Sequence, residues 1–265
     1  MMTENHAKNQ KGKLKAGAAI TDITPEKPLF LYGYPHVERI SEGVHDPLFA
    51  SALVLDNGAC KIAMCAVDII YITKQIAHNV REIVSSASDI PPENIMISAS
   101  HTHSGPMTVD PIFDDPVVPN ADEEFIEMLI HSIAETILKA NQNLIPAEIA
   151  ISTADGSGIG GNRQRKDGPV DPEVPVIVLR NADSNDIFAI STTYCMHPTV
   201  MHEDSKLYSA DFPGYTRKYI ADKMGESVIY LYHTGPEGDQ SPRHFIKSNT
   251  FEEAQRLGEM LGQRI

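Results

Sequence analysis

The segment Ser100-His101-Thr102-His103-Ser104-Gly105-Pro106 follows an apolar run at residues 94–99 that reads as a buried strand. Residues i and i+2 of a strand point to one face, so His101 and His103 can address a common point at the strand's C-terminal end. Sites of open α/β sheets lie at that end. Imidazole nitrogen suits zinc, and a His-x-His pair supplies two ligands, or one ligand and one acid/base group. Two loop histidines hydrogen-bonded to backbone would give the same sequence. His197, in Cys195-Met196-His197-Pro198-Thr199, follows another apolar run and is a third candidate. Alone it reads as a core histidine satisfied by a carbonyl. Three histidines at strand ends shift the reading toward a shared site.

Other blocks are less specific. Arg163, in Gly160-Gly161-Asn162-Arg163, is either a solvated side chain or a cation beside a polarised carbonyl, where it would stabilise a developing oxyanion. Asp211, in Asp211-Phe212-Pro213-Gly214-Tyr215, can cap a helix or orient a ligand histidine. The stretch Gly235-Pro236-Glu237-Gly238-Asp239-Gln240-Ser241-Pro242 offers backbone N–H groups and a hydroxyl at a sheet edge. It lacks the lysine of a phosphate loop and the pattern of a nucleophile elbow. A tight turn stabilised by Asp239 accounts for it equally well. The spacing of Asp68, Asp211 and Asp239 fits no two-metal phosphatase.

The elements that position these groups follow from pattern. Residues 14–24 read as a strand ended by Pro25, and residues 30–47 as loop. Apolar runs at 50–55 and 61–70, joined through Asp56-Asn57-Gly58, form a hairpin. Helical periodicity covers 73–87 and 121–140. For the second helix Asn120 is the expected N-cap, and Phe125, Met128, Leu129, Ile133 and Ile137 the buried face. Strands are expected near 147–153, 174–180, 186–196 and 227–232, with a short helix at 214–224 between the last two. A final helix starts at Thr250 with Glu253 as its capping-box partner. It carries Phe251, Ala254, Leu257 and Leu261 on one face, which needs a partner, expected in sequence beyond Ile265. The expected fold class is α/β, a mixed sheet with packed helices.

The chain has 265 residues, with Lys plus Arg 22 and Asp plus Glu 36, a formal net charge of −14. That balance excludes a nucleic-acid partner on electrostatic grounds. No apolar run approaches the length of a membrane span. Residues 1–13 read as a polar tail without a secretory pattern, and Cys60, Cys65 and Cys195 as reduced thiols, so a cytoplasmic location is expected. Oligomeric state has no signature here.

In order and content these blocks resemble the N-terminal catalytic region of the neutral/alkaline non-lysosomal ceramidases. The matching pieces are Gly43-Val44-His45-Asp46-Pro47-Leu48-Phe49-Ala50, Ser100-His101-Thr102-His103-Ser104-Gly105-Pro106, Asn162-Arg163, His197-Pro198-Thr199, Asp211-Phe212-Pro213-Gly214-Tyr215 and Gly238-Asp239-Gln240-Ser241-Pro242. The resemblance runs from about residue 14 to the end and implies one catalytic domain over 14–265, cut short at its C-terminus. It implies a zinc-dependent hydrolase in which a zinc-activated water cleaves the N-acyl amide bond of a ceramide-like or smaller N-acyl substrate. By analogy His101 and His197 are zinc ligands, and His103 is an acid/base or supporting group beside the metal-bound water. Arg163 faces the scissile carbonyl oxygen, and Ser241 belongs to the active-site region. The family completes its zinc with a Glu and a Tyr from a later part of the chain. Here Asn162-Arg163 is followed by Gln164-Arg165-Lys166-Asp167-Gly168-Pro169, so the pocket-shaping loop departs from the family pattern. A binding protein that keeps the fold without the chemistry is the alternative expectation.

Overall fold

The structure is a computed structural model and describes residues 14–111 and 117–265. The tail expected at residues 1–13 lies outside the described residues. In chain order the elements are β1 (Lys15–Asp22), β2 (Gly43–Val44), β3 (Phe49–Asp56), β4 (Lys61–Val67), α1 (Lys74–Ala87), β5 (Ile95–Ala99), α2 (Glu123–Gln142), β6 (Ile145–Asp155), β7 (Gly161–Asn162), β8 (Glu173–Asn181), β9 (Ile187–Tyr194), β10 (Leu207–Tyr208), α3 (Phe212–Met224), β11 (Ile229–Thr234), β12 (Gln240–Ser241) and α4 (Phe251–Arg264).

Eight strands form one mixed sheet in the order β11-β9-β8-β6-β1-β3-β4-β5. The order is that of two like halves set back to back. Each half has three antiparallel strands, then a crossover that carries a helix to a fourth, parallel strand: α1 leads to β5 beside β4, and α3 leads to β11 beside β9. The seam is short, with only Lys15↔Pro146 and Ala16↔Ile145 pairing β1 with β6. The sheet therefore folds on itself. Ala16, Ala18, Leu53 and Ala66 of one half meet Ala147, Leu179, Ala189 and Leu231 of the other. The many alanines let the two half-sheets approach closely. Helices α1 and α2 cover the outer face of the first half, and α3 and α4 that of the second, giving four layers.

The β3–β4 hairpin forms as expected. Asn57 Oδ1 accepts from the N–H groups of Ala59 and Cys60, and Gly58 takes φ 81°, a conformation suited to glycine. Four expectations change. Strand β5 is not buried: it is the sheet's edge, and Met96 is 44% exposed. Helix α2 is capped by Asp122, whose carboxylate accepts from Phe125 N, rather than by Asn120, because the helix starts at Glu123. In α4 the Thr250 side chain makes no cap, and Glu253 binds Arg256 and Lys247 N instead. The apolar face of α4 finds its partner within the chain. Ala254, Leu257 and Leu261 are fully buried against α3 and the second half-sheet, each leucine contributing about 2 kcal/mol.

Candidate metal centre

The strand ends of the two halves converge. After β5 the backbone turns sharply at His101, which adopts φ 66°. The strand has already ended at Ala99, so the pairing of His101 with His103 does not come from strand alternation. It comes from this left-handed residue, whose N–H donates to Ile69 O at 3.0 Å. His197 enters three residues after β9. The ring centroids of His101 lie 5.1 Å from His103 and 4.9 Å from His197. Nitrogen atoms of all three rings fall within 4.8 Å of one another.

Hydrogen bonds fix the tautomers of two rings. His101 Nδ1 lies 2.8 Å from Ile70 O, and His197 Nδ1 lies 2.7 Å from Glu237 O and 3.0 Å from Gln240 O. A carbonyl only accepts, so each Nδ1 carries the hydrogen and each Nε2 presents a lone pair. Among the described residues, His103 has no hydrogen-bond partner at either ring nitrogen, although both are buried. Burial, and then neighbouring histidines, push His103 down to about 2 and His197 to about 4; burial also lowers His101. Neutral imidazoles held from behind by carbonyls are the donor set that zinc takes.

A residue that the sequence did not single out joins them. Glu237 follows β11, is 9% exposed, and its carboxylate lies 3.7 Å from His101 Nε2 and 3.8 Å from His197 Nδ1. Burial pushes it up to about 8, against the pull of Arg163. Its signal was the Gly-Pro-Glu-Gly stretch beside Asp239, where the aspartate is the more conspicuous turn residue. Asp239 instead braces the neighbouring loop. Its carboxylate accepts from Asn162 Nδ2 at 2.8 Å and Gln240 Nε2 at 2.7 Å. Its carbonyl accepts from Arg163 N at 2.7 Å. With β7 paired to β12, Ser241 opposite Gly161 and Arg163 bonded to Asp239, these contacts bring Arg163 and Ser241 to the same cavity.

Arg163 and Ser241 border a cavity of about 350 Å³ with His103 and Tyr34. Tyr34 packs edge-on to His103 at 5.1 Å and against His202 at 4.5 Å. Buried Arg39 supports this wall, donating to His103 O and Ser205 O. Gly33 lies so close to His103 that an added Cβ would sit 2.2 Å from its Cβ. Asp211 contacts no histidine. It caps α3 through Phe212 N and accepts from Met201 N, so of its two readings the cap is the one realised. His45 stacks on Phe251 at 3.5 Å and bonds the Tyr215 hydroxyl, and His233 bonds Ser98 across the two half-sheets.

Comparison with known proteins places the chain in a family. The pattern described as "Neutral/alkaline non-lysosomal ceramidase, N-terminal" matches residues 14–244. The chain belongs to the neutral/alkaline non-lysosomal ceramidase family. It is similar to neutral ceramidase A of Dictyostelium discoideum, 26% identical over 272 residues that cover 90% of this chain and 37% of that protein. Neutral ceramidase of Pseudomonas aeruginosa is 24% identical over 273 residues, 91% of this chain and 40% of that protein. The crystal structure of neutral ceramidase from Pseudomonas aeruginosa superposes with a TM-score of 0.84 at 19% identity, over 95% of this chain and 44% of that one. This ceramidase-family chain therefore spans about two fifths of the length of these curated relatives.

Proposed function

We propose that this chain carries the histidine ligands of a zinc-dependent hydrolase that cleaves the N-acyl amide bond of a ceramide-like or smaller N-acyl substrate. One observation carries the reading: two neutral imidazoles, His101 and His197, held at Nδ1 by carbonyls, leave their Nε2 atoms without hydrogen bonds among the described residues, beside His103, whose ring nitrogens are likewise unbonded there. Zinc held by His101 and His197 would polarise the scissile carbonyl and bring the pKa of a water molecule toward 7, which a poorly electrophilic amide requires.

The protein's own groups divide the remaining work. His103 borders the cavity, and its neutral ring is available to hydrogen-bond and orient a water molecule as a supporting group. Arg163 borders the same cavity and is available to stabilise negative charge on the carbonyl oxygen. Ser241 offers a hydroxyl to orient the amide. Membership of the ceramidase family and the similarity to neutral ceramidases support an amide-bond substrate.

Elemental analysis tests the reading. Roughly one zinc per chain is expected, lost in His101→Ala/His197→Ala, together with hydrolysis of short N-acyl substrates. Zinc content and turnover both unaffected by the double substitution would overturn it. A chain without zinc and without turnover would either require the Glu and Tyr ligands that the family supplies from a later part of the chain or be a binding relative that keeps only the fold.

A further inference from the structure

We propose that the cavity beside the histidine cluster is an anion subsite, and that the N-acyl substrate of this chain carries a carboxylate or phosphate group. This rests on the hydrolase reading for the word substrate; the subsite itself rests on charge and packing. Among the described residues, three cations, Arg163, Arg243 and Lys247, border the cavity, and no carboxylate does. That local balance is the reverse of the chain's, where acids exceed bases by 36 to 22.

Of the nearby acids, Glu237 feels the pull of Arg163 from beside the histidines, outside the cavity lining, and three others are engaged with other groups. Glu253 is paired with Arg256 at 2.7 Å, Asp239 is bonded to Asn162 and Gln240, and Glu203 meets His36 at 2.9 Å. Among the described residues, none of the three cations has a carboxylate within 4.0 Å, the span that marks the ion pairs elsewhere in the chain. The segment that carries two of them is held in place before any ligand arrives. Phe245 N donates to Pro242 O at 2.7 Å, Lys247 N to Glu253 Oε2 at 3.1 Å, and Asn249 Nδ2 to Val200 O at 2.9 Å. Unpaired cations gathered in a concave, preordered site concentrate anions and bind them through charge-assisted hydrogen bonds. A neutral double-chain lipid would leave these charges without a counter-charge.

Calorimetric titration of the full chain tests this with probes that cannot be cleaved, because a sulfonyl group replaces the scissile carbonyl. N-(hexylsulfonyl)glycine is compared with its uncharged glycinamide, and N-(hexylsulfonyl)-O-phosphoethanolamine with its uncharged ethanolamide. At least one anion should bind about tenfold more tightly than its neutral partner, and the larger gap identifies the group as carboxylate or phosphate. In Arg243→Gln/Lys247→Gln the gap should fall below roughly threefold, and 0.5 M salt should narrow it in the wild type. Both side chains are exposed, so the substitutions leave the core untouched. Equal binding of charged and neutral probes, no binding of either anion, or a gap that survives the double substitution would overturn the proposal. The readout needs neither zinc nor turnover, so failure of the hydrolase reading shows separately in the His101→Ala/His197→Ala variant.

Discussion

The two halves of the sheet share a topology and use the ends of their third strands differently. In the first half Asp68 directly follows β4, and in the second His197 follows β9. Both are buried, at 2% and 6% exposure. Asp68 Oδ2 accepts from Arg217 of α3 at 2.7 Å and from Phe49 N at 3.0 Å, which ties the second half to the first. His197 engages only Nδ1 and keeps Nε2 unbonded. Burial alone does not separate a structural polar group from a chemical one. What separates them is bonding capacity left over after the fold has taken its share.

Two substitutions break the comparison most strongly. His197→Ala should lower kcat/KM on an N-acyl substrate by at least about 10³-fold, and should cost less stability than Asp68→Ala because the ring it removes is neutral, although its Nδ1 hydrogen bonds are lost. Asp68→Ala should do the reverse, destabilising the chain by about 3–5 kcal/mol by leaving Arg217 buried and unpaired, as denaturant titration would show. If Asp68→Ala left stability intact, the division would fail. Glu237→Gln should weaken zinc about 10- to 100-fold in a chelator competition, as loss of a supporting carboxylate does.

The link between the halves at Ser98 and His233 gives a pH signature. Burial lowers His233 to about 4, from the ordinary 6.5. The unfolded chain then binds the extra proton first as pH falls, so the stability tied to the neutral ring is complete above pH 6.5. It is lost between about 6.5 and 4, to the extent of about 3 kcal/mol. His233→Gln should remove that part of the slope when stability is measured across the window. Identical slopes in the two proteins would contradict the assignment. The smallest effect contrasts the helices that close each half. Asp122→Ala should cost about 1 kcal/mol through the lost cap of α2, and Thr250→Ala almost nothing, because its side chain caps nothing in α4.

Local grammar was legible in the sequence for most elements, though not for the caps of α2 and α4. The 57–60 turn, the helix expected over 73–87 and the strands expected near 174–180 and 186–196 follow from turn residues and apolar spacing. The histidines were legible as residues but not as geometry: alternation along a strand suggested the pairing that a left-handed His101 provides. Glu237 was hidden because its meaning depends on β11 lying across from β5, and residues so far apart in sequence carry no periodic sign of that. Met96 on an open edge, and the partner of α4 in α3, were missed for the same reason: the order of strands in the sheet is settled by long-range packing.

The alanine-lined contact between the half-sheets also sets a mechanical tolerance. His101 and His103 arrive on one half and His197 and Glu237 on the other, across a seam of two residue pairs. Metal ligation accepts errors of only about 0.2 Å. The centre is therefore a gauge of how well two layers fit. A larger side chain in place of Ala66 or Ala189 would wedge them apart, leave each half's strands and helices intact, and scatter the imidazoles.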